Sequence, residues 1–223
     1  WQEDARTFVG MLNLDGSVTT ADDAPQDYQS QLPDQEQEPD PGYSVPPLGP
    51  VDIWPTTIYP LDYPLLTAQA SVYAYELTPE ADAETRDALL KMARHWAIAI
   101  EAAMPAQTGR TFRKTLTEAM PEVATTGGTY AANYGRAISF FVHLYRATSE
   151  KKYLRLAEDL ANDAVEKLFV TTDLEDEKGR RKQYGIFKGH PAKPYYEAVD
   201  GVGFLLLALL DLEDPDTCEA GAF

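Results

Sequence analysis

The 223-residue chain has a single cysteine, Cys218, so no disulfide can form within it and no cysteine-based metal cluster can be built. Its three histidines, His95, His143 and His190, form no close-spaced metal signature. Long apolar runs are lacking too: the longest, residues 202–210 (VGFLLLALL), falls well short of the roughly 20 residues a membrane-spanning helix needs. The first residues, WQEDARTF, have neither the basic start nor the apolar stretch of a secretion signal. Positive charge is scarce, with 19 Lys and Arg against 36 Asp and Glu and a formal net charge of -17. A field of that sign repels polyanions, which excludes a general affinity for nucleic acid or anionic membrane. An acidic ligand must therefore be drawn in by a local patch.

What is present reads as an ordinary soluble globular protein, 44% hydrophobic and 25% charged. Residues 1–62 are expected to form an irregular, acidic, proline-rich arm that packs on the core, because few positions between 21 and 63 could be buried in a regular pattern. Its aromatic end, with Ile53, Trp54, Ile58, Tyr59, Leu61 and Tyr63, is expected to cover helices. Near the start, Asn13, Asp15, Gly16 and Asp22 imitate the middle of a calcium loop, but Met11 stands at the first ligand position. A turn is expected there, with calcium the weaker alternative and no other cofactor implied.

Residues 63–223 carry helical patterns. Residues 64–77 are apolar with small residues interspersed; Thr78 and Pro79 then suit the cap and first turn of a helix over 80–104, where apolar residues return at three- and four-residue steps. Residues 130–147 are again apolar nearly all round. Residues 149–169 are amphipathic, with Tyr153, Leu154, Leu156, Ala157, Leu160, Ala164, Val165 and Leu168 on one side. The hinges match, VYAYELTPE at 72–80 against VHLYRATSE at 142–150, 70 residues on, and LDLEDPD at 210–216 occupies a third hinge. This predicts an all-α repeat of hairpins in which an apolar helix alternates with an amphipathic one, the third unit opening at Tyr196.

The run GRAISFFVHLYRATSEKKYLRLAEDLANDAVEKL resembles the inner helix, hinge and outer helix of the (α/α) toroid enzymes that act on carbohydrates, notably polysaccharide lyases and unsaturated uronyl hydrolases. The resemblance covers about residues 63–212 and implies an incomplete (α/α) toroid whose functional groups lie at the starts of inner helices. It further implies an acidic, uronate-containing polysaccharide as partner; the first residues leave either a cytoplasmic protein or one whose signal has been removed, and a secreted or periplasmic location is the expectation that suits such a substrate.

Two residue sets occupy the implied positions. Asn133, Tyr134 and Arg136 start one inner helix; His190, Lys193, Tyr195, Tyr196 and Glu197 start the next, preceded by Lys188. Between Lys178 and Lys193 six cations and one histidine occur without a single acid, a positive island suited to an anion. β-Elimination on a uronate needs the carboxylate neutralised, the C5 proton removed and the leaving oxygen protonated. Tyr134, His190 and Arg136 are the expected catalytic groups, and Asn133, Lys188, Lys193, Tyr195, Tyr196 and Glu197 the expected substrate-binding ones. Hydrolysis, which needs two flanking acids, is the alternative through Glu197, Asp200 and Asp62. A noncatalytic glycan- or protein-binding scaffold is the third reading. His143, on an apolar helical face, is expected to be a hydrogen-bonded core residue, and His95 beside Trp96 to be structural.

Overall fold

The computed structural model describes residues 1, 14–17, 62–103, 129–175, 177, 179–191 and 201–217. These form five helices and one two-stranded ribbon: α1 (Asp62–Leu77), α2 (Ala83–Ala103), α3 (Ala131–Thr148), α4 (Lys151–Leu168), β1 (Phe169–Glu175), β2 (Arg181–Phe187) and α5 (Val202–Glu213). The protein is mainly α, and the ribbon corrects the all-α expectation. It occupies part of the stretch read as a basic loop.

The α1/α2 turn also departs from expectation. Thr78 does not cap α2; its hydroxyl donates back to the Ala74 carbonyl at 2.6 Å and so finishes α1. Asp82 is the cap instead, its Oδ1 accepting the Thr85 N–H at 3.2 Å, and α2 begins only at Ala83. Arg86 secures the turn, donating to the carbonyls of Tyr75 and Thr78 at 2.9 and 2.7 Å and stacking 4.1 Å over the Tyr75 ring.

The second hairpin closes the same way. Thr148 donates to the Leu144 carbonyl at 2.7 Å, and Ser149 takes a left-handed conformation (φ 58°) that lets its N–H reach the Tyr145 carbonyl. On α4 the apolar stripe Tyr153, Leu156, Ala157, Leu160, Ala161, Ala164 and Leu168 is buried, whereas Val165 falls outside it and is exposed. Tyr153 stacks on Phe141 with 6.2 Å between ring centroids, which fixes the α3 face that α4 covers.

Helices α1 and α5 lie along α3 and run in its direction. On one side Gln69, Tyr73 and Glu76 meet Arg136, Ser139 and His143 in ascending order. On the other, Gly201 meets Ala132 and Phe204 meets Gly135 and Arg136. Two glycines make this second approach possible. A Cβ on Gly135 would stand 2.5 Å from the Phe204 backbone, and one on Gly201, whose φ is +76°, 2.4 Å from the Ala132 side chain. Fully buried Leu65, Val72, Ile138, Phe140, Phe141, Leu144, Leu160, Leu168 and Leu205 fill the core between the helices.

The ribbon is antiparallel, with Phe169 opposite Phe187 and Glu175 opposite Arg181. Its sequence signal was present: FVTTDLE and RKQYGIF are rich in β-branched and aromatic residues, and Gly179 between them takes φ +72°. The Phe169 ring lies over Gly185, where any larger residue would collide with it. After β2 the chain returns to the helices, the Lys188 N–H donating to the Leu168 carbonyl at the end of α4 and the Gly189 carbonyl accepting the Ala131 N–H at the start of α3.

Of the expected arm, Trp1 stacks on His95 of α2 with ring centroids 4.4 Å apart. In the expected turn, Asp15 Oδ1 accepts from the N–H and hydroxyl of Ser17 at 2.9 and 2.7 Å, which holds its carboxyl below the ordinary range. Asn13, Asp22 and the aromatic stretch 53–61 lie outside the described residues, as do the side chains of Asp62 and Tyr63.

Candidate functional site

Helix α3 is apolar nearly all round, and its polar residues are not scattered. Arg136, Ser139, His143 and Arg146 recur at three- and four-residue steps, which sets them on one stripe. Helix α1 answers with Gln69, Tyr73 and Glu76 at the same steps, and α5 with Asp211. The stripe lies on the side of α3 opposite the Tyr134 and Phe141 face that α4 covers.

Along the stripe the side chains form one connected network. Arg136 donates to Gln69 Oε1 at 3.2 Å while its guanidinium lies 4.5 Å over the Phe204 ring. Gln69 Nε2 donates to the Tyr73 oxygen at 3.3 Å, and Tyr73 shares a 2.7 Å hydrogen bond with Ser139. The Tyr73 ring meets His143 edge to face at 4.6 Å. His143 Nδ1 bonds Glu76 at 2.9 Å, and the other Glu76 oxygen lies 3.7 Å from Arg146. The network thus runs from one arginine to another past a tyrosine, a histidine and one carboxylate, that of Glu76.

Burial sets the chemistry of these groups. Desolvation pushes the Tyr73 phenol up to about 12 against the pull of Ser139, so it stays neutral and able to donate across the ordinary pH range. Desolvation also raises the Asp211 carboxyl, although His143 and Arg146 draw it down. Among the described residues the buried Arg136 Nε and Asp211 Oδ2 make no hydrogen bond. A planar cation with an uncommitted donor is suited to a carboxylate. No group of three or more His, Cys, Asp or Glu among the described residues could hold a metal ion.

The expected site residues are only partly brought together. Tyr134 and Arg136 are two positions apart on a helix and so point to different sides of α3, about 200° apart. The Tyr134 phenol is fully buried and donates to Asp163 of α4, which Lys167 also holds; burial first, then Asp163, drives its pKa far up. It therefore belongs to the α3/α4 interface. Asn133 is buried, its Nδ2 donating to Thr129 at 2.9 Å. His190 is fully buried, its ring 4.5 Å from that of Tyr130 at the head of α3. Lys188 turns back to the Pro191 carbonyl at 2.8 Å. Lys193, Tyr195, Tyr196, Glu197 and Asp200 lie outside the described residues.

Sequence reasoning placed His143 correctly, in a fully buried position and hydrogen-bonded. It passed over Gln69, Tyr73, Glu76, Ser139, Arg146 and Asp211. Their signal is a polar residue every three or four positions in helices otherwise apolar on all sides, a pattern that only a shared polar face explains. Comparison with known proteins finds no matching family model and no significant match to a curated protein or a solved structure.

Proposed function

We propose that the chain forms part of a helical-hairpin enzyme of the (α/α) toroid kind that cleaves a uronate-containing polysaccharide by β-elimination. The observation that carries this reading is the polar stripe from Arg136 to Arg146 along three helices that run in the same direction. The 70-residue return of the threonine back-bond, Thr78 to Ala74 and Thr148 to Leu144, supports the repeat.

On this reading Arg136 neutralises the substrate carboxylate and so acidifies the C5 proton. The base that accepts that proton is not His190, which is fully buried against Tyr130 at the head of α3, nine residues before the Ser139 that Tyr73 meets; it comes from substrate-side solvent or from a residue outside the described ones. As C4–C5 becomes a double bond and the C4–O4 bond breaks, the neutral Tyr73 phenol protonates the departing oxygen. The exposed Arg181 and Lys182 of β2 give a polyanion a local contact, against the acids Asp173 and Glu175 of the facing strand. A polymeric substrate of this kind suits action outside the cell.

The test is incubation with pectate, alginate, ulvan and glycosaminoglycans while following absorbance of the new C4–C5 double bond. Turnover should fall by a factor of roughly a hundred or more in Tyr73→Phe with helicity unchanged. Release of reducing ends without the double bond would move the reaction to hydrolysis. Burial of Asn133, Tyr134, His143 and His190 favours a second reading, a noncatalytic glycan-binding scaffold. That reading requires uronate binding without turnover, unaffected by Tyr73→Phe.

A further inference from the structure

A peptidase binds its substrate as an extended strand, so a bond inside a helix is protected from it and one in an exposed strand is not. The basic residues of α2, α3 and α4 are poor targets for that reason. Arg180, Arg181 and Lys182 differ from them. All three are exposed, they follow Gly179 (φ +72°) at the turn of the ribbon, and they contain the one Arg–Arg pair of the chain. From Arg181 to Ile186 every residue of β2 is exposed as well.

The backbone at Arg181 is turned toward an incoming chain. The Lys188 N–H donates to the Leu168 carbonyl, so 168 and 188 face each other as a hydrogen-bonded pair. Alternation along the unbroken register then makes Leu174 and Lys182 a bonded pair and Glu175 and Arg181 a non-bonded one. The Arg181 N–H and carbonyl therefore point away from β1, along the open edge of a two-stranded sheet, where a peptidase can pair with the strand and receive the scissile carbonyl in its oxyanion hole. Glu175 and Arg181 are also the last pair of the ladder, beside the turn, and the end of a two-stranded ribbon frays at little cost. What joins the chain on either side of this bond lies elsewhere. The Phe169 and Phe187 rings meet at 5.2 Å at the base of the ribbon, the Gly189 carbonyl accepts the Ala131 N–H of α3, and Val202, Leu205 and Ala208 bury one side of α5.

We propose that the Arg181–Lys182 peptide bond is a processing site for a serine endopeptidase that recognises paired basic residues, and that the cut protein stays folded as two associated chains. Hydrolysis adds one water across the bond, leaving a carboxylate on Arg181 and an ammonium on Lys182. The proposal does not rest on the lyase reading. To test it, the full-length protein is treated under native conditions with a limiting amount of an endopeptidase specific for paired basic residues, and intact masses are followed. The first products should be residues 1–181 and 182–223, whose masses sum to that of the protein plus one water. They should elute together by size exclusion with helicity unchanged and separate only in denaturant. The variant Arg180→Gln/Arg181→Gln, altered only at exposed positions and checked for an unchanged unfolding midpoint, should be cut roughly tenfold more slowly or less. Equal rates for the two proteins overturn the proposal. So does a folded protein that is not cut at all, or a first cut at the other basic pairs, Arg113–Lys114 or Lys151–Lys152. Chains that part without denaturant overturn the two-chain product.

Discussion

Two glycines of similar helical setting separate backbone freedom from packing at the residue scale. Gly135 and Gly203 both lie inside helices, where alanine is intrinsically favoured by about 1 kcal/mol. At Gly203 nothing opposes that gain, so Gly203→Ala is expected to leave stability unchanged or raise it by up to about 1 kcal/mol. At Gly135 the new methyl would stand 2.5 Å from α5 backbone, which cannot rotate away. Gly135→Ala should therefore cost about 1–3 kcal/mol, so its urea midpoint should fall while that of Gly203→Ala holds or rises. Asp211 offers a pH test. Burial holds its carboxyl above its ordinary 3.8, so between that value and the folded one the native state keeps a proton the unfolded state has lost. Stability falls as pH rises through that window and the cost persists above it. Asp211→Asn removes the cost; it should stabilise at neutral pH and make no difference below about pH 3.8, as measured by urea unfolding across that range.

At the scale of elements, the hinges are where local chemistry decides the fold. Arg86 fills two carbonyls at the end of α1 and lies on the Tyr75 ring, so a guanidinium reached from the next helix terminates this one. Arg86→Ala should lower stability by about 1.5–3 kcal/mol. Arg86→Lys should recover little, because an ammonium cannot present the planar fork to both oxygens and the ring; thermal and urea unfolding read both variants. Helix existence was legible because burial dictates three- and four-residue spacing in α2 and α4 and apolar runs in α1 and α3; α5 begins at Val202, six residues after the expected Tyr196, because Gly201 in a left-handed conformation (φ 76°) caps it. The start of α2 was misplaced because Thr78 and Asp82 are both competent caps, and only the back-bond from Thr78 to Ala74 decides between them. The ribbon was hidden by its charge, since Arg180, Arg181 and Lys182 dominated a stretch whose alternation around Tyr184 and Ile186 is that of a strand. In the site, Arg136 was legible as a cation at a helix start. Tyr134 was misjudged because its partner, Asp163, comes from 29 residues away and no local pattern reveals which side of α3 will meet α4.

At the scale of the whole molecule, charge is divided unevenly, and that division has opposite consequences for folding and for binding. The net charge of -17 repels itself, so added salt should stabilise the fold as the Debye length shortens from about 30 Å at 0.01 M to about 8 Å at 0.15 M. The ribbon is neutral, Asp173, Glu175, Asp176 and Glu177 balancing Lys178, Arg180, Arg181 and Lys182, but its β2 strand is not: Arg181 and Lys182 are exposed, and Lys182 sits 5.3 Å over the Tyr184 ring, where an anionic polymer can reach both the cations and an aromatic face. Over the same salt range, affinity for a polyuronate should fall, because the attraction is between solvent-exposed charges. Arg181→Gln/Lys182→Gln should weaken that affinity severalfold and flatten its salt dependence while leaving the unfolding midpoint nearly unchanged, since neither residue is buried. Parallel titrations with polygalacturonate and melts at low and moderate salt would check both directions. An affinity indifferent to salt, or equal in the double variant, would remove the ribbon from the binding of anionic polymers and leave the arginines of α3 as the cations that receive the substrate.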